Sequence, residues 1–135
     1  MTATEDTTVS LANTGHRVTA ARKAVLEAMR ATTGPFTVED LCAGLPGVGR
    51  ATVFRTVKLL HEHDVLCRVV LEDGGVRYQI STGGHHHHLA CSRCGGVQEF
   101  ADPALDLLIQ QNARAAAFAL DGHSLELYGR CAACG

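Results

Sequence analysis

Aromatic side chains make up only 4% of the 135 residues, so no large aromatic platform is available. No run approaches the ~18 to 20 consecutive apolar residues of a membrane span. Met1-Thr2-Ala3-Thr4-Glu5-Asp6 lacks the basic and apolar regions of a signal peptide, and a cytoplasmic protein that does not engage membranes is expected. The chain also has no phosphate-binding loop, no nucleophile elbow and no H-E-x-x-H zincin motif, which argues against the enzyme classes built on them. A strong basic balance is missing too: the net charge is -2. That figure averages unlike halves, because His16 to Lys58 carries seven Lys/Arg against three Asp/Glu and Gly84 to Gly135 three against five. An anionic partner should therefore meet the front half. At 46% hydrophobic, the chain can bury one medium core or two small ones.

Residues 1 to about 14 are polar and patternless, and disorder is expected there. Thr19 can cap a helix to about Ala31, with Val18, Val25, Leu26 and Met29 toward a core. Thr37-Val38-Glu39-Asp40 resembles a capping box with Asp in place of Glu, and opens a second helix. Its apolar set Val38, Leu41, Cys42 and Leu45 has helical spacing, which makes Cys42 a core residue. After Pro46-Gly47-Val48-Gly49, a third helix points Val53, Val57 and Leu60 inward and Arg50, Thr52, Arg55 and Lys58 outward. Two β-branched runs around Glu72-Asp73-Gly74-Gly75 then signal a hairpin. Three helices and a hairpin make a winged helix-turn-helix, whose third helix enters the DNA major groove. The competing reading of Arg50, Arg55 and Lys58 is an ordinary solvated helix face; their concentration on the third helix favours phosphate contacts.

Beyond Ser81-Thr82-Gly83-Gly84, short strands are expected at HHLAC and VQEFA. Asp102-Pro103 opens a helix with Leu105, Leu108 and Ile109 on one face, and HSLELYGR reads as a further strand. A lobe of about fifty residues usually needs a staple. Cys91-Ser92-Arg93-Cys94 and Cys131-Ala132-Ala133-Cys134 supply one, because two C-x-x-C pairs can close a tetrahedral structural zinc site. Two redox dithiols are the alternative, though nothing around them resembles a thioredoxin unit. The preceding quartet His85-His86-His87-His88 alternates in an extended chain, so His86 and His88 face one side and His85 and His87 the other. It can feed two sites, unless it is a loose adventitious patch.

Arg-Ala-Thr-Val-Phe-Arg-Thr-Val on the third helix, His-His-His-His-Leu-Ala-Cys-Ser-Arg-Cys-Gly at the junction and the closing Cys-Ala-Ala-Cys together resemble the ferric uptake regulator family of metal-dependent bacterial repressors. The likeness runs over roughly residues 15 to 135. It implies an α+β chain: an N-terminal winged helix-turn-helix domain over 1–82 and a small C-terminal α/β dimerisation domain with structural zinc over 83–135. It further implies a homodimer that represses by binding an inverted-repeat, double-stranded DNA operator when its metal is present.

Carried over residue by residue, the resemblance places structural Zn2+ on Cys91, Cys94, Cys131 and Cys134, and a sensing site at the hinge on His86 and His88. A third site would take His85, His87, Asp106 and His123. The hinge departs from the pattern, since Gln79, Ile80 and Pro35 stand where relatives carry ligands. Cys67 is the best replacement, with Glu99, His61 and His63 behind it. A thiolate with two imidazoles leans toward Zn2+ over Fe2+ and so toward a zinc uptake regulator, with iron or peroxide sensing as alternatives. On the DNA side, Phe54 replaces the family's tyrosine; Arg55 would contact base or phosphate, with Thr52 and Lys58 nearby and Arg22 on the backbone. The rival from another class is a small zinc metallohydrolase using the H-x-H pair with Asp106 and His123, whose metal would keep a position open for water.

Overall fold

The computed structural model describes residues 19–81 and 83–135. The expected disorder of residues 1–14, the inward placement of Val18 and Thr82 of the linker lie outside the described residues. The chain forms two compact units, Met1–Gly83 and Gly84–Gly135.

In the first unit, α1 (Ala20–Ala31) starts at Thr19, whose hydroxyl accepts from the Arg22 backbone N–H at 3.1 Å. α2 (Val38–Ala43) starts at the capping box: the Asp40 N–H donates to Thr37 Oγ1 at 3.0 Å, and the Thr37 N–H donates back to the Asp40 carboxylate at 2.9 Å. Aspartate closes the box despite being a methylene shorter than glutamate. α3 (Arg50–Glu62) starts at Gly49, which offers no capping side chain. The three helices bury Val25, Leu26, Met29, Leu41, Val53, Val57 and Leu60 with Phe36 and Leu66 in one core. Each large apolar side chain so buried contributes about 1.5–3 kcal/mol. Cys42 is half-buried and packs against this core.

Asp64, in the left-handed region at φ 60°, reverses the chain after α3 and sends it into β1 (Leu66–Val70). β1 pairs antiparallel with β2 (Val76–Ile80), with Cys67 opposite Gln79. At the turn between them Gly74 takes φ +86°, which a side chain would strain. Phe36 and Tyr78 exchange backbone hydrogen bonds of 2.8 Å and stack their rings, tying this wing to the segment before α2.

The second unit is a three-stranded sheet of order β4-β3-β5. β3 (His87–Cys91) is central, antiparallel to β4 (Val97–Phe100) and parallel to β5 (Glu126–Gly129). Between β4 and β5 runs α4 (Pro103–Ala115), capped by the Asp102 carboxylate, which accepts from the Ala104 and Leu105 N–H groups. One expectation needs correction. The segment HSLELYGR is a strand only over Glu126–Gly129, the four residues that find partners on β3; His123 stands before it. On α4, Leu107 and Leu108 are each 54% exposed, and the helix contains no buried residue.

Candidate metal centres and nucleic-acid interface

The parallel pairing of β3 with β5 explains the cysteine cluster. Parallel strands end on the same side, and the register Cys91 opposite Gly129 leaves each C-x-x-C turn just beyond a strand end. Ser92 joins the two ends, its N–H donating to the Gly129 carbonyl at 2.8 Å and its hydroxyl to the same oxygen at 3.0 Å. The sulfurs of Cys91, Cys94, Cys131 and Cys134 lie within 4.8 Å of one another. The Cys94 and Cys131 sulfurs are 3.8 Å apart. Four ~2.3 Å bonds in tetrahedral array place sulfurs about 3.8 Å apart, so the donors fit zinc.

The electrostatics agree. Backbone N–H groups of Cys94 and Cys131 point at Cys91 Sγ from 3.5 and 3.4 Å. These bonds, that of Cys94 first, lower the Cys91 pKa to about 6 and favour its thiolate. Cys134, in contact with the neighbouring sulfurs and first of all Cys131, is pushed up to about 12. Four thiolates this close repel one another, and a divalent cation removes the conflict.

The alternation of β3 and its lead-in divides the histidines into two pairs. The His85 and His87 rings are 4.8 Å apart and the His86 and His88 rings 4.9 Å. On the first side, one oxygen of Asp106, on the first turn of α4, meets three imidazoles: His87 Nε2 at 2.7 Å, His85 Nε2 at 3.2 Å and His123 Nε2 at 3.3 Å. The His85 and His123 Nε2 atoms are themselves 3.1 Å apart. One carboxylate oxygen cannot accept from three rings while two of them also bond to each other without leaving lone pairs in opposition. A central cation would satisfy all four donors, and the set is chemically suited to one. The bond from His87 is the first cause of an Asp106 pKa below the usual aspartate value.

On the other side, His86 Nε2 lies 3.6 Å from Glu99 Oε1, and His88 joins them with ligand atoms within 4.8 Å. His86 Nδ1 sits 3.0 Å from the Gly84 carbonyl, so this nitrogen carries the proton and Nε2 presents its lone pair. His88 Nε2 is buried with no hydrogen-bond partner among the described residues. Burial, ahead of the nearby His86, lowers the His88 pKa and keeps the ring neutral, the form that ligates metal. A buried, unpartnered ring nitrogen beside a second imidazole and a carboxylate fits a divalent cation. Cys67, in the first unit, is a buried residue of β1, while Gln79 and Ile80 lie half-buried on β2. His61 sets its ring edge against Tyr78.

On α3, Phe54 is 55% exposed, and Arg55 and Lys58 are exposed beside it. Thr52 is half-buried, with Arg55 Nη2 3.4 Å from its hydroxyl. Arg22 lies half-buried on α1. Arg50 is outward as expected, but its guanidinium is gripped by both oxygens of Glu39 on α2. Sequence reasoning missed Glu39: the signal, an acidic residue on the first turn of the preceding helix, was read only as part of a cap.

The ferric uptake regulator family model matches residues 13–128. The ferric uptake regulation protein of Campylobacter upsaliensis is 32% identical over 126 residues, 89% of this chain and 81% of that protein. The peroxide operon regulator of Bacillus subtilis is 30% identical, over 93% of this chain and 88% of its own. Among solved structures, a zinc uptake regulator complexed with zinc and DNA superposes with a TM-score of 0.80 at 25% identity, covering 99% of this chain and 95% of its own. The fold is thus α+β, shared with that regulator, and the chain belongs to the ferric uptake regulator family.

Proposed function

We propose that this chain is a zinc-responsive transcriptional repressor, acting in the cytoplasm as a homodimer on an inverted-repeat operator. The observation that carries the reading is the division of one histidine run between two donor sets, one of which holds the buried, unpartnered His88 Nε2. Cys91, Cys94, Cys131 and Cys134 would hold the structural ion. His86, His88 and Glu99, with Cys67 as the proposed further ligand, would hold the sensed one, and His85, His87, Asp106 and His123 the third. A bound divalent cation would supply a fixed point joining the ligands of each set.

The chain's own residues do the rest. The Gly84 carbonyl selects the ligating tautomer of His86, burial keeps His88 neutral, and α3 presents Phe54, Arg55 and Lys58 outward. Leu107, Leu108 and Phe118, all more than half exposed, support a partner on the face of the second unit. The relatives named above are regulators, and a family of regulators leaves the metallohydrolase reading without support. The zinc assignment draws on the thiol of Cys67 and on the zinc-bound relative. Peroxide or iron sensing is the second reading, favoured by the Glu99 carboxylate beside two imidazoles and by the peroxide regulator among the relatives. The test is a mobility-shift titration with zinc, ferrous iron and manganese, on a duplex enriched from a random pool by the metal-loaded chain. Zinc should give binding at the lowest free concentration. Binding stimulated by ferrous iron alone would select the second reading, and binding unchanged by chelator would remove both.

A further inference from the structure

Arg50 on α3 and Glu39 on α2 form an ion pair between side chains of neighbouring helices. Both side chains are exposed, at 68% and 62%. Exposed pairs hold structures together weakly, so a stabilising role gives little reason for the pairing. Arg50 also stands at the first position of α3, where a cation opposes the positive end of the helix dipole. The first turn of α3 contains no acidic residue, and Gly49 provides no capping side chain. Glu39, reaching across from α2, supplies the missing negative charge and occupies both arms of the guanidinium fork.

A phosphodiester in the DNA backbone presents two oxygens to the same fork. A phosphate taking the same two N–H groups must displace the carboxylate, and one approaching the remaining N–H groups meets a guanidinium whose charge Glu39 already offsets. Resting on the DNA-binding reading above, we propose that Glu39 is a specificity-determining residue: an intramolecular phosphate mimic that masks Arg50 against arbitrary DNA and yields only to a duplex docked in register.

The charge arithmetic gives this content. On a random duplex, affinity comes almost wholly from lysine and arginine contacts to phosphate, and each such contact adds about 0.9 to the logarithmic salt slope. With Arg50 masked, α3 offers a random duplex Arg55 and Lys58 without it. Where base contacts hold the helix in register, a phosphate held against Arg50 can replace the carboxylate. Glu39 thus lowers non-specific binding more than operator binding and raises the ratio between them.

The test uses the full metal-loaded chain, a mixed-sequence duplex and the enriched duplex, over a range of salt. Glu39→Gln should bind the mixed duplex roughly three- to tenfold tighter, with a slope steeper by about 1. It should gain less on the enriched duplex, so the ratio falls. Arg50→Gln alone should leave the mixed-duplex slope unchanged, and adding Arg50→Gln to Glu39→Gln should abolish the gain. Circular dichroism melts establish that the variants fold; because both residues are exposed, Glu39→Ala can stand in for Glu39→Gln. An unchanged slope in both Glu39 variants, or a gain that survives loss of Arg50, would overturn the proposal. A parent chain that binds neither duplex would instead overturn the DNA-binding reading.

Discussion

Cys91 and Cys134 carry the same functional group a few ångströms apart, yet backbone N–H groups pull one down to about 6 while neighbouring sulfurs push the other up to about 12. The contrast locates the need for a cation in the surroundings of each residue, not in its type. Cys94→Ser removes one of four donors from a unit whose buried apolar residues reduce to Ala90 and Cys91 among those described. A structural zinc is worth on the order of 10 kcal/mol in small domains. Since ~1 kcal/mol moves a small domain's Tm by ~4–8 °C, a fall of at least about 10 °C is expected in a circular dichroism melt, with zinc released to a chromophoric chelator. A zinc-free variant that stays folded and dimeric would contradict the staple.

At the scale of the element, α2 is six residues long and survives through its cap and Leu41. The Thr37 N–H, bonded to the Asp40 carboxylate, is the first cause of an Asp40 pKa below the usual aspartate value. A depressed folded-state pKa means that the stabilisation is fully present above the ordinary aspartate pKa of ~3.9 and is lost as pH falls through the lowered value. Asp40→Asn should therefore melt below the parent at pH 7, and the gap should begin to narrow as pH falls below about 4. Thr37→Ala, which removes the other half of the box, should cost about 0.5–2 kcal/mol near neutral pH. A gap between Asp40→Asn and the parent that does not narrow at all as pH falls below about 4 would show that the carboxylate is not what matters.

For the whole molecule, the proposal makes metal and operator binding one linked equilibrium, and the linkage belongs to neither unit alone. Coupling of this kind typically amounts to ~1–3 kcal/mol. Cys67→Ser should weaken metal-stimulated operator binding by roughly tenfold in a mobility-shift titration, while sedimentation still reports a dimer. Metal dependence identical to the parent's would remove Cys67 from the sensing set and leave His86, His88 and Glu99 to be completed by another ligand.

Local signals carried the reading a long way. The caps at Thr19, Thr37 and Asp102 mark helix starts because each depends on side chains within three residues of the backbone they satisfy. The histidine alternation follows from the period of a strand, which is a property of any extended chain. The cysteine pairs announce a metal because their spacing alone brings two sulfurs to one ion. Tertiary structure decided what depends on distant partners. Parallel pairing of β3 and β5 brought the two cysteine turns together across 36 intervening residues, and one Asp106 oxygen became the meeting point of three rings. His123 stands before the strand expected to contain it, and Leu108 is left exposed because a helical period fixes a face but not what covers it. Arg50 read in sequence as one more exposed cation; its capture by Glu39, eleven residues away, arises only when α2 and α3 pack, since a charge in sequence has no partner until the fold supplies one.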